Sequence, residues 1–99
     1  MNWYAKTDGE IIQELGKRIR LIRLEKRITQ KMLAEQCGLN RNTVKDLENG
    51  KSVHLFSLIA ILRGLDLLDR LQKLIPGINE SPVLNQLSHT KKRVRLSTK

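Results

Sequence analysis

The chain is 99 residues long and carries 19 Lys+Arg against 10 Asp+Glu, a formal charge of +9. That length allows one small domain with loose ends, and the charge points to a polyanionic partner. One cysteine excludes an intramolecular disulfide, and with no signal-peptide pattern and no apolar run near the ~18 residues of a membrane span, a cytoplasmic protein with no membrane partner is expected.

Met1 to Lys6 should be loosely ordered, with Trp3 and Tyr4 available either to the domain or to an interface. Thr7 and Glu10 have the T-x-x-E spacing of a capping box and mark the start of a first helix. Ile11, Leu15, Ile19 and Ile22 repeat at helical spacing to about Lys26, flanked by Lys17, Arg18, Arg20, Arg23 and Arg27. A second helix is expected near Gln30–Cys37 and a third near Arg41–Glu48. After the Gly50-Lys51-Ser52 loop, Leu55 to Arg63 reads as a fourth helix with Leu58, Ile59 and Leu62 inward and Gly64 ending it. Asp66 is placed to cap a fifth helix, Leu67 to Leu74, with Leu68, Leu71 and Ile75 as its apolar edge. Pro76-Gly77 breaks the pattern, so the domain is expected over 7–76, with a flexible basic tail over 77–99.

The stretch from Thr29 to Gly50, TQKMLAEQCGLNRNTVKDLENG, carries the most information. Thr29 and Asn40 can cap the orphan N–H groups of two successive helices. A small side chain at Ala34 lets two helix backbones approach, and Gly38 permits a left-handed turn. Leu33, Ala34, Cys37, Val44 and Leu47 form one apolar face, which makes Cys37 a core residue before it is a reactive thiol. The other face of the third helix carries Arg41, Asn42, Lys45 and Asp46, polar residues with little structural reason to be there.

From about Leu15 to Leu74 the chain resembles the phage Cro and cI-type repressors, the XRE family of helix-turn-helix proteins. The matching residues are Gln30, Ala34, Gly38, Asn40, Val44, Leu47, Glu48 and Gly50. The resemblance implies an all-α, five-helix DNA-binding domain whose third helix enters the major groove, where side chains distinguish all four base pairs. Arg41, Asn42, Lys45 and Asp46 would then read bases, Arg41 on guanine O6 and N7 and Asn42 on adenine N6 and N7. Thr43 would touch a thymine methyl or a phosphate. Gln30, Lys31, Asn40, Lys51 and Lys17 or Arg18 would meet the DNA backbone, with His54 capping the fourth helix poorly, binding phosphate or merely exposed. Arg23 late in the first helix would bridge Glu48 at the end of the third, an arrangement suited to the planar guanidinium. Leu67, Leu68, Leu71 and Ile75 would supply a homodimer contact. Two recognition helices roughly 34 Å apart would then meet a palindromic operator in double-stranded DNA.

No paired carboxylates, glycine-rich phosphate loop, His/Cys metal spacing or nucleophile beside a base suggests an enzyme, a metal site, a cofactor or a small-molecule substrate. The layout, a short helix-turn-helix domain followed by a basic Ser/Arg/Lys tail, resembles the HipB-type antitoxins. These repress their own operon and bind a HipA-like kinase toxin, so a protein toxin is an expected partner. The alternatives are a phage-type or restriction-modification controller without a toxin, and an adaptor that keeps the fold but does not use DNA. Residues 91–99 hold five basic residues and no acidic one. They can stay solvated, fold onto DNA by counterion release, or dock on a protein through Val94 and Leu96.

Overall fold

A computed structural model describes residues 1–77, and the expected tail beyond them lies outside the described residues. Among the described residues the architecture is all-helical. A short 3₁₀ turn at Trp3–Ala5 precedes α1 (Asp8–Glu25), α2 (Gln30–Cys37), α3 (Arg41–Glu48) and α4 (Leu55–Gly64). A second 3₁₀ turn, Leu68–Arg70, leads into α5 (Leu71–Leu74). Two compact units result, Met1–Leu67 and a second that begins at Leu68; the expected domain boundary stood at 76/77. No helix among the described residues is long and apolar enough to cross a membrane.

Local chemistry sets the helix starts. Thr7 Oγ1 accepts from the Glu10 N–H at 3.1 Å, and Glu10 Oε1 accepts from the Thr7 N–H at 2.8 Å. Those bonds hold the Glu10 carboxyl below the usual carboxylate range. Thr29 accepts from the Met32 N–H and Asn40 from the Asn42 N–H, so α2 and α3 begin with one orphan donor satisfied each.

The first four helices end alike, on one residue in the left-handed region. After α1 the Arg27 N–H donates to the Leu24 carbonyl at 2.9 Å and the Ile28 N–H to the Arg23 carbonyl at 3.4 Å. The same two-bond pattern closes α2 at Gly38, α3 at Gly50 and α4 at Asp66. The φ angles are 58° at Arg27, 68° at Gly38, 80° at Gly50 and 59° at Asp66.

The core of the first unit is Ile19, Leu33, Ala34, Val44, Leu47, Ile61 and Leu65, ringed by half-buried Ile22, Ile28, Cys37, Leu39, Val53, Leu58 and Leu67. Burial pushes the Cys37 thiol up. Close backbone approach lets such short helices share one core. A Cβ at Gly16 of α1 would run into the Leu47 carbonyl and come within 3.2 Å of the Glu48 carbonyl carbon in α3. A Cβ at Gly64 would lie 2.5 Å from Cys37 Sγ and 3.2 Å from Leu33 Cδ1.

The structure departs from the expected elements at several residues. Gly64 does not stop α4; it is the helix's last residue and the point where α4 meets α2. Ile61 rather than Ile59 is the fully buried residue of α4, and Ile59 faces outward. Leu15 stays 42% exposed, and it is Gly16 beside it that makes the close backbone approach to α3. Asp66 cannot cap a fifth helix, because an N-cap needs an extended backbone and Asp66 is left-handed. The expected helix Leu67–Leu74 is therefore a 3₁₀ turn followed by four α-helical residues. Leu67 packs against the core, Leu68 and Leu71 are half-buried, and Leu74 and Ile75 are exposed.

Replacing Gly16 with Ala should lower stability by about 1–3 kcal/mol, the usual penalty of overpacking. Gly9→Ala in the same helix meets nothing nearer than Thr7 Oγ1 at 4.0 Å. It should be neutral or stabilising by up to ~1 kcal/mol. Thermal unfolding of the two variants checks the contrast, and equal melting temperatures would contradict the close approach.

Candidate nucleic-acid interface

The seat of α3 is an ion pair out of water. Arg23 Nε donates to Glu48 Oε2 at 2.6 Å and Arg23 Nη2 to Glu48 Oε1 at 2.9 Å. Their side chains are 7% and 1% exposed. Arg23 Nη1 also donates to the Ile28 carbonyl at 2.8 Å, and Gln30 Nε2 donates to Glu48 Oε1 at 3.1 Å. One carboxylate at the end of α3 is thus held by the end of α1 and the start of α2. No buried side-chain nitrogen or oxygen among the described residues lacks a hydrogen-bond partner. Gln30, expected on a phosphate, gives one of its two amide N–H donors to this network.

From that seat α3 turns its polar face outward. Arg41, Asn42 and Lys45 are exposed, and neither cation has an ion-pair partner among the described residues. Thr43 and Asp46 are half-buried and line a shallow pocket with Ser52, Val53, His54 and Ser57. Asp46 lies 4.0 Å from Lys51 Nζ, so of the four candidate readers it alone has a neighbouring countercharge. Asn40 uses its side chain to cap α3, which leaves the start of that helix well defined. His54 occupies the N-cap of α4 without a side-chain bond.

The flanking cations divide into engaged and unengaged groups. Arg18 donates to Glu14 Oε2 at 2.9 Å, and its guanidinium lies 5.0 Å from the centre of the Trp3 ring. Trp3 is therefore a residue of the domain, half-buried beneath a cation. Lys17 and Lys31 are exposed with no ion-pair partner among the described residues, whereas exposed Lys51 faces Asp46. Arg27, read from sequence only as one basic flank of the first helix, lines an open groove with Lys31 and Arg41. Nothing in the string Lys26-Arg27-Ile28 signals a left-handed arginine.

Arg23→Ala strands the Glu48 carboxylate, and breaking a buried pair this way costs about 3–5 kcal/mol. In a domain this small that lowers Tm by ~10 °C or more, and duplex DNA affinity should fall with it. Differential scanning calorimetry checks the first effect, and an unchanged Tm would contradict the pairing's role.

The geometry agrees with the comparisons to known proteins. The family described as Helix-turn-helix matches residues 19–73, which runs from the middle of α1 through α5 and takes in more than half of the chain. No curated protein matches the chain. The matched span contains Arg23, the two capped helices, the Gly38 turn and the outward face of α3. The chain belongs to the XRE-type helix-turn-helix family, whose members are DNA-binding transcription regulators.

Proposed function

We propose that the protein is a sequence-specific repressor that binds a palindromic operator as a homodimer and serves as the autoregulatory antitoxin of a toxin–antitoxin operon. Its partner in this reading is a HipA-like kinase toxin, and its compartment the cytoplasm. The observation that carries the DNA half is the exposed face of α3. Arg41, Asn42 and Lys45 stand free on a helix whose other side is fixed by a satisfied buried ion pair. Polar side chains on a rigid helix small enough to enter the major groove suit direct readout. Asn42 opposite adenine and Arg41 opposite guanine are the assigned contacts, with Lys45 beside them and Lys51 and Lys17 on the backbone.

The succession of a helix-turn-helix domain and a basic Ser/Arg/Lys stretch supports the antitoxin half. Apolar surface for self-association is present in Leu74 and Ile75, which are 70% and 76% exposed. A monomer by light scattering at micromolar concentration would contradict the dimer.

The partner is tested by affinity capture of the tagged protein from its host, with and without DNase treatment. A kinase-like protein retained after DNase treatment is the expected result. Recovery of a promoter fragment alone, lost on DNase treatment, would contradict the toxin partner and leave a stand-alone repressor or controller.

A further inference from the structure

Of the four left-handed residues that close α1 to α4, two are glycines and one is Asp66. Short polar side chains tolerate that region and glycine favours it. Arg27 is the exception, a long side chain with φ 58° where glycine would be free of strain. Its position is fixed by both bonds of the helix-ending motif and by the adjacent Ile28 carbonyl, which accepts from Arg23.

The strained backbone delivers Arg27 to a groove of about 480 Å³ lined by Arg23, Leu24, Ile28, Lys31 and Arg41 among others. Arg23 is neutralised by Glu48. Arg27, Lys31 and Arg41 have no ion-pair partner among the described residues, and no acidic side chain lines the groove. Leu24 and Ile28 add apolar lining, against which aliphatic stems of Arg and Lys commonly pack while their charged ends reach water. Three uncompensated cations around one opening are mutually repulsive in the free protein, and a polyanion relieves that repulsion. Arg41 is also the first residue of α3, so the groove adjoins the surface assigned to base reading.

We propose that Arg27, with Lys31, clamps a backbone phosphate of DNA beside the bases that α3 meets, a contact made at the expense of the backbone strain at Arg27. The inference rests on the DNA-binding reading. It adds a contact that raises affinity for every sequence and carries no sequence preference.

The test uses the full chain and a labelled duplex of arbitrary sequence, with affinity measured over a range of salt concentrations. Arg27→Gly removes the cation and the strain together. It should raise Tm by a few degrees and weaken binding several-fold at low salt. The slope of log K against log salt should become shallower by about 0.9, the value of one phosphate contact on B-DNA. Arg20→Ala removes an exposed cation of α1 that does not line the groove, and should leave that slope near the wild-type value. An Arg27→Gly protein that binds as tightly as wild type with the same slope would overturn the clamp, as would an equal change in Arg20→Ala. Wild-type protein that leaves the duplex unbound even at low salt would instead overturn the DNA-binding reading, and the clamp with it.

Discussion

The bidentate bridge between Arg23 and Glu48 is the constraint on which the rest of the molecule depends. A carboxylate this deeply buried survives only if it is paired and its lone pairs are occupied. Two guanidinium bonds and the Gln30 amide meet that demand. The third guanidinium contact, to the Ile28 carbonyl, ties the turn after α1 into the same network. Four groups from α1, the α1–α2 turn, α2 and α3 thus converge at one point. Such a network contributes little net stability over an apolar replacement, but an arrangement that parted its members would leave buried polar groups unpaired. The orientation of α3 follows from that arrangement.

Short helices make the constraint necessary. At eight residues each, α2 and α3 are below the length at which an isolated helix is stable in water. They persist because capping side chains satisfy their first turns and because tertiary contact begins at once. Gly16 and Gly64 permit that contact by removing side chains where α1 meets α3 and where α4 meets α2. The core is correspondingly small, seven buried apolar side chains among the described residues, and each close approach has a large share in holding it together. The outward residues of α3 take no part in this packing and are free to serve recognition.

Much of this was legible in the sequence because the signals were local. Thr29, Gln30, Gly38, Asn40 and Gly50 bound α2 and α3 to the residue, since caps and left-handed glycines act over three or four positions. Where the determinant lay across the fold, the sequence was ambiguous. Leu-Ile-Ala-Ile-Leu in α4 is apolar at every position, so periodicity carries no phase and Ile59 and Ile61 cannot be told apart. Gly16 and Gly64 look like a weak point and a stop until their neighbours are known. Asp66 reads as an N-cap by composition, yet it closes the preceding helix. On the site, the candidate residues Arg41, Asn42 and Lys45 emerge together on one exposed face. The sequence does not show that Gln30 also bonds Glu48, or that Arg18 pairs with Glu14 and lies over Trp3, because these partners come from other turns of the fold. Arg27 was invisible because a left-handed arginine has no local signature.

In the proposed function, the outward face of α3 reads DNA sequence from a scaffold fixed by the buried bridge. Selection of bound fragments from a random-sequence duplex pool, performed with the wild-type protein and with Asn42→Ala, tests it most directly. Asn42 is exposed, and among the described residues its side chain makes no hydrogen bond, only its backbone serving the helix. The wild-type protein should enrich a two-fold symmetric motif. The variant should fold normally and lose preference at one position of each half-site, a discrimination worth about 1–3 kcal/mol. Enrichment of the same motif with the same strength by both proteins would contradict the claim.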